Sequence, residues 1–428
     1  MQRVPFTLSI ALAALAVLFP ACQTQAGDVN WPGWRGPNRD GKSTASGLLK
    51  TWPDGGPKLL WKATGIGQGF SSVSFGGGLI YITGRKEAGN PSEPPEAKDV
   101  YRRPGRRLYI TALDMDGKVR WVRDVAKAYT GYYKGTRSTI TCDSGNLYLE
   151  IGTGEVGCYQ AKTGRQKWTR DMSEFAARDM SWGFAESIMI VGAKAILSPG
   201  GDCFMAAVDK ATGKTLWKSE DYGQAQSCSP IFVKYKGVPM IVNGSREGLM
   251  GVHAETGRTL WKQDFGQKAL AGCPTPAYSD GYVYWAIGYG AGGICMKLNV
   301  DGGKVTAKEA WRSKDMDCMV GGYIIHDGYI YGNHKDGWTC LELKTGRTMW
   351  EAEGVGKGSI CWADGMLYLF SEKDGLAGLA TCSPKGLEMK GTFSVDGQGP
   401  SWAYPVVVGG RLYLRYDDNL YCYELRAK

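Results

Sequence analysis

The stretch "ATGKTLW", Ala211 to Trp217, decides the fold, because the chain writes nearly the same words four more times. "DMDGKVRW" ends at Trp121, "AKTGRQKW" at Trp168, "AETGRTLW" at Trp261 and "LKTGRTMW" at Trp350. In each, a Gly stands four residues before a Trp. A Gly at that place supplies the positive φ of a tight hairpin. The Trp then falls on the strand that leaves the hairpin, where it can pack against a neighbouring unit.

Working outward, the same beat runs through Trp61 and Trp311, and Phe393 in "GLEMKGTF" takes the remaining place. The eight docking residues are therefore Trp61, Trp121, Trp168, Trp217, Trp261, Trp311, Trp350 and Phe393. A second signal keeps time with the first. Gly-x-x-Tyr recurs at Gly78/Tyr81, Gly145/Tyr148, Gly281/Tyr284, Gly328/Tyr331, Gly365/Tyr368 and Gly410/Tyr413, with Gly192 and Gly237 on the two remaining beats. Each unit reads as four short strands. "SWAYPVVVGGRLYLRYDDNLYCYEL" displays three of them, with apolar–polar alternation and Gly or Asp turns between. No long 3.6-residue period survives these turns. One four-stranded sheet cannot bury both its faces, so eight such units predict radial stacking. The fold class is all-β, an eight-bladed β-propeller of four-stranded antiparallel blades. The last unit has three strands, and "GPKLLWKA" around Trp61 supplies its fourth, which closes the ring and removes free edges.

The chain has 428 residues, 62 Gly, 23 Tyr and 15 Trp, with 22% charged residues and a net charge of +9. That suits a turn-dense, aromatic β protein. Residues 1–26 read as a secretory signal peptide: Arg3, an apolar run, then small residues. Cys22 is an alternative lipid anchor, although Phe19-Pro20-Ala21 before it departs from the usual small-residue pattern. An N-terminal extension then covers 27–57 and the propeller 58–428. No other apolar run is long enough for a transmembrane span. The densest basic run, 85–107, is interleaved with Glu and Asp, which reads as a solvated loop with no nucleic-acid partner.

"AVDKATGKTLW" resembles the tryptophan-docking repeat of PQQ-like propellers. That class includes quinoprotein alcohol dehydrogenases and the lipoprotein propeller of the outer-membrane β-barrel assembly machinery. "WPGWRGPNRDG" (31–41), "YGAGG" (289–293) and "WAYPVVVGGRLYLR" (402–415) are closer still to secreted planctomycete-type members. The resemblance spans Trp31 onward. It implies a periplasmic, secreted or outer-membrane protein, working as a monomeric ring. Function divides two ways. The first is a non-catalytic binding or scaffold protein of the cell envelope, with a protein, glycan or small-molecule partner. Tyr-rich "AYTGYYKGTR" (128–137) is its candidate contact surface.

The alternative is a PQQ- and Ca²⁺-dependent oxidoreductase, an alcohol or sugar dehydrogenase with its site in the axial funnel. Reading the start of each first strand gives the funnel residues. Trp182 or Trp402 would be the aromatic floor, Arg137 and Lys357 the cationic clamps, Glu186 the calcium ligand and Asp317 the base. Against it, the alcohol dehydrogenases of the class carry adjacent cysteines, and this chain has none. A third pattern concerns sulfur. Cys228, Cys273 and Cys318 recur at even spacing of 45 residues, which suits a soft metal, a disulfide, or small residues filling the crowded axis. Cys158, Cys295, Cys340 and Cys422 fall on third strands and read as packing.

Overall fold

The computed structural model describes residues 29–87, 106–133, 135–178, 182–265 and 271–427. The segment read as a signal peptide, Cys22 and most of the basic run lie outside them. The described residues form eight antiparallel β-sheets arranged as blades, with a single 3₁₀ turn at Met172–Phe175. Blades 1 to 7 run Ser74–Lys127, Thr141–Asp171, Met189–Lys218, Ile231–Asp264, Ala277–Ser313, Tyr323–Ala352 and Gly358–Ser394. Blade 8 joins Val406–Val408, Arg411–Tyr416 and Asn419–Glu424 to Leu59–Ala63, with Trp61 opposite Cys422. Among the described residues no helix is long and apolar enough to cross a membrane.

The recurring motif has a common geometry. In every blade the register of the outer strand slips beside the docking position, a β-bulge. The bulge turns the Trp toward the next blade, and a small residue stands opposite it on the third strand. That residue is Cys158 for Trp168, Cys295 for Trp311, Cys340 for Trp350 and Cys422 for Trp61. Ala112, Ala207 and Gly251 do the same for Trp121, Trp217 and Trp261. These four cysteines thus provide narrow space under an indole.

Five of the seven indoles cover the turn glycine of the blade that follows: Trp61 over Gly117, Trp121 over Gly164, Trp168 over Gly213, Trp217 over Gly257, Trp311 over Gly346. At Gly257 two constraints coincide. Its φ is +71°, and a Cβ there would lie 2.4 Å from the Trp217 ring. Several indole N–H groups then donate across the blade boundary, Trp61 to Met115 O (3.0 Å), Trp168 to Lys210 O (3.1 Å) and Trp311 to Leu343 O (2.8 Å).

Blade 7 departs from the pattern. The residue after its bulge is Gly391, two positions before Phe393. Trp52, from the N-terminal extension, lies over Gly391, 5.1 Å from the Phe393 ring and 6.1 Å from that of Tyr368. In other blades the equivalent Tyr meets its own docking Trp, as Tyr284 meets Trp311 at 5.4 Å. The extension therefore contributes this blade's indole from outside the repeat.

At the axis, hydroxyls on the inner strands link one blade to the next. Thr139 Oγ1 accepts from Ser72 N (3.0 Å), Ser187 Oγ from Thr139 N (2.9 Å) and Ser229 Oγ from Ser187 N (2.9 Å). Ser72 Oγ accepts from Tyr404 N (3.0 Å) across the closure. Arg415, fully buried, donates to Ser71 Oγ (2.6 Å) and Gly67 O (2.7 Å) and locks blade 8 against blade 1.

Candidate functional site: the axial cavity

The extension does more than complete blade 7. Trp31 to Ser43 runs across the far ends of the inner strands. Phe75 N donates to Trp31 O (2.9 Å) and Cys142 N to Pro32 O (2.6 Å). Arg35 donates to Tyr323 O, and Arg39 to Ser187 O (2.6 Å). Lys42 and Ser43 pair in parallel with Trp362 and Ala363. One short segment thus touches blades 1, 2, 3, 6 and 7. From it Trp34 enters the channel, donates to Thr275 Oγ1 (2.8 Å) and meets the Tyr404 ring edge-on at 4.6 Å.

Beyond Trp34 lies a cavity of about 160 Å³. Its walls come mostly from the loops before the inner strands, with Tyr289 from a turn inside blade 5 and Trp34 from the extension. Phe70, Tyr133, Trp182 and Trp402 form one chain of rings, with Phe70–Trp402 and Tyr133–Trp402 both at 4.8 Å and Tyr133–Trp182 at 5.8 Å. Tyr289, Met319, Ser187, Ser227, Ser229 and Cys273 also line it. Tyr133 (φ 52°) and Tyr289 (φ 63°) hold left-handed backbone, a costly conformation for an aromatic residue.

The cavity brings together Arg137, Trp182, Trp402 and Cys273, and leaves the other expected residues outside. Glu186 follows the cavity-lining Ala185, and alternation along the chain sends its side chain the other way. It lies buried between blades beside Glu150, whose Oε2 accepts from Glu186 N at 2.5 Å. Burial pushes the Glu186 carboxyl up to about 8, with Ser198 and Arg39 drawing it back. Burial and then the charge of Glu186 push Glu150 up as well. Lys357 stands behind Met319, paired with Glu372 at 3.3 Å. Asp317 accepts from Gly290 N (3.0 Å), so it braces the turn that carries Tyr289.

Arg137 reaches the cavity but is committed to the tyrosine loop. Its Nη2 donates to Tyr132 O and Tyr133 O, both at 2.8 Å, and its guanidinium lies 4.9 Å from the Tyr129 ring centre. Burial lowers its pKa, opposed by Tyr129 and Cys273. The three evenly spaced cysteines do not converge. Cys228 donates to Asn243 Oδ1 (3.2 Å), Cys318 to Gly322 O (3.4 Å), and Cys273 lies 4.0 Å from Ala271 O. All three are free thiols, and among the described residues no three of His, Cys, Asp and Glu form a metal-holding group. Inner strands pass close at the axis, and each thiol turns to an acceptor in its own blade.

These residues do not fit pyrroloquinoline quinone with calcium. Three carboxylates would meet one guanidinium already bonded to two carbonyls. Among the described residues no carboxylate lines the cavity to hold calcium or take a proton. The hydroxyls lack a neighbouring base. Cys273, pushed up to about 11 by burial, stays a protonated thiol. The sequence reading did not foresee Trp34 as the end of the channel. Its signal was the density of Trp, Arg and Gly in "WPGWRGPNRDG", more than a solvated tail needs.

Comparison with known proteins adds three findings. The family model described as outer membrane protein assembly factor BamB matches residues 106–352. Two relatives carry that same description. One, from Shewanella oneidensis, is 24% identical over 59% of this chain and 66% of its own length. The other, from Burkholderia pseudomallei, is 26% identical over 43% and 54%. The matches thus span about two thirds and about half of those relatives. Among solved structures, BamB from Moraxella catarrhalis superposes with a TM-score of 0.58 at 13% identity, covering 86% of this chain and 99% of that one. Quinohemoprotein alcohol dehydrogenase from Comamonas testosteroni gives 0.63 at 12% identity, covering 93% and 81%. At such identities the superpositions speak to the fold alone.

Proposed function

This chain belongs to the family of outer membrane protein assembly factor BamB, and from that premise we infer that it is a non-catalytic scaffold of the cell envelope, binding proteins destined for or resident in the outer membrane. The observation that carries the reading is the donor set of the axial cavity. Among the described residues it is aromatic and has no carboxylate, and the guanidinium of Arg137 is spent on its own loop. A channel built that way holds and positions, and among the described residues it lacks the acid–base pair that an oxidoreductase or hydrolase requires. The described residues fold as one closed ring, which offers rigid faces and loops for partners. An export signal at 1–26, or in its place a lipid anchor at Cys22, and the monomeric state are parts of the same proposal.

The test has two arms. Epitope-tagged protein is crosslinked in intact cells, and co-purifying envelope proteins are identified. Reproducible recovery of β-barrel outer-membrane proteins or their assembly partners supports the reading. In parallel, purified protein is titrated with PQQ and Ca²⁺ while dye-linked alcohol oxidation is followed. Saturable binding with turnover, weakened by Arg137→Ala, would overturn it.

A further inference from the structure

We propose that the axial cavity receives a single aromatic side chain of a partner polypeptide, which deepens the scaffold reading and rests on it. Volume sets the guest's size. At about 160 Å³ the cavity matches the apolar cavity of about 150 Å³ that accepts benzene. One planar ring fits, and a fused tricyclic cofactor does not. Phe70, Trp182 and Trp402 offer faces and edges at its sides, and Trp34 with Tyr404 closes its inner end. Offset and edge-to-face contacts with such walls favour an aromatic guest over an aliphatic one of equal area.

Charge and hydrogen bonding exclude the other guests of aromatic sites. A quaternary ammonium or lysine head is held by rings when negative charge or open faces surround it. Here, among the described residues, no carboxylate lines the wall, and Arg137 does. A hexose would bring several hydroxyls that need partners once dry. Of the three serines in the lining, Ser187 and Ser229 already accept backbone N–H groups, Arg137 is bonded to two carbonyls and the Tyr404 hydroxyl donates to Val320 O.

The mouth points to a polypeptide as the carrier. Tyr132, Tyr133 and Tyr289 are 74%, 51% and 47% exposed, large aromatic surface left in water. A free small molecule would sit inside the walls and leave these rings uncovered. A polypeptide that inserts one side chain lays its flanking residues over them. An aromatic anchor in a pocket, ringed by Tyr and Arg, is the usual anatomy of an interface hot spot. The left-handed backbone at Tyr133 and Tyr289, braced by Arg137 and Asp317, holds the two rings in place before any partner arrives.

The experiment uses the full mature chain, labelled with ¹⁵N, and follows tryptophan indole N–H resonances. The probe is the capped tripeptide acetyl-Gly-Phe-Gly-amide. A lone anchor should bind with a Kd of about 1 mM, saturating by about 20 mM. The same peptide with Leu or Ala in the middle should bind at least tenfold more weakly. Ala185→Phe, which fills the cavity from its wall, should abolish the shifts with the fold intact. Should that variant not fold, protection of the wild-type Cys273 thiol from alkylation by bound Phe peptide gives the same answer. No Phe-dependent shift, or equal binding of the Ala peptide, overturns the proposal. So does toluene binding as tightly as the peptide, which would make this a small-molecule site, or preferential binding of methyl glucoside. Envelope partners recovered equally by wild type and Ala185→Phe would defeat this inference and leave the scaffold reading standing. Partners recovered by neither would defeat the scaffold reading, and the peptide titration would still report on the cavity.

Discussion

Gly257→Ala probes the recurring motif at the point where its two physical constraints can be separated. Gly257 has φ +71°, and an added methyl carbon would meet the Trp217 ring at 2.4 Å. The left-handed backbone alone costs an alanine about 1–2 kcal/mol. Forcing a methyl into a packed indole adds about 1–3 kcal/mol. Gly237, in the first hairpin of the same blade, has φ +83° and nothing within 4 Å of its Cβ position. Gly237→Ala therefore carries the backbone cost without the clash. Urea denaturation should place Gly257→Ala below Gly237→Ala by about 1–3 kcal/mol. The contact is further tested by a cycle with Trp217→Ala. Once the indole is gone, Gly257→Ala should cost no more than Gly237→Ala, a coupling of similar size. Equal losses for the two glycine variants, or additive losses in the cycle, would refute the claim that this Gly is required by the neighbouring indole.

Three further outcomes follow from single features. Glu186, held at about 8 when folded, keeps a proton that the unfolded chain releases from its usual pKa near 4.5 upward, so its contribution is full at low pH and is lost as pH rises to about 8. Denaturation midpoints should fall between pH 5 and 8.5, and Glu186→Gln should flatten that slope; parallel slopes would refute the assignment. Trp52→Ala should destabilise by about 3–5 kcal/mol, as a buried core indole, although Trp52 lies outside the repeat; a loss typical of a surface residue would show that blade 7 closes without it. The eleven cysteines from Cys142 to Cys422 are free thiols, so reductant should leave the denaturation midpoint unchanged, and unfolding in a thiol-reactive dye should release all eleven; fewer would reveal a disulfide.

The fold was legible because its determinants are local. A turn Gly, a bulge and a Trp lie within a few residues, and repetition multiplies a weak signal by eight. Cys158, Cys295, Cys340 and Cys422 were readable as packing for the same reason, since a fixed place in the repeat fixes a neighbour. Blade 7 marks where that logic stops. Phe393 falls near the beat, but the bulge places Gly391 in the register, and the indole comes from Trp52, more than three hundred residues away in sequence. The site is less legible still. Arg137, Trp182 and Trp402 could be found by aligning strand starts. Which of two neighbours turns inward depends on alternation at the ring's centre, and it separated Ala185 from Glu186.

The strongest consequence concerns the relation of fold to chemistry. Superposition on a quinohemoprotein dehydrogenase covers 93% of the chain and speaks to the fold alone, whereas the chemistry rests on the side chains near the axis. Trp34 fills the channel from one end and leaves space for one ring. Glu186 faces Glu150 between blades, where burial favours its protonated form. Lys357 is neutralised by Glu372 and Asp317 is used to hold a turn. These charges lie outside the cavity and serve rigidity. A propeller axis is crowded, so a single inserted indole alters volume, dielectric and reach together. The ring itself tolerates this because its stability comes from blade-to-blade docking at the periphery and from the hydroxyl links of the inner strands. Scaffold and site meet at Ser187 and Ser229, whose hydroxyls both line the cavity and link the blades, so the repeat that encloses the cavity also shapes it.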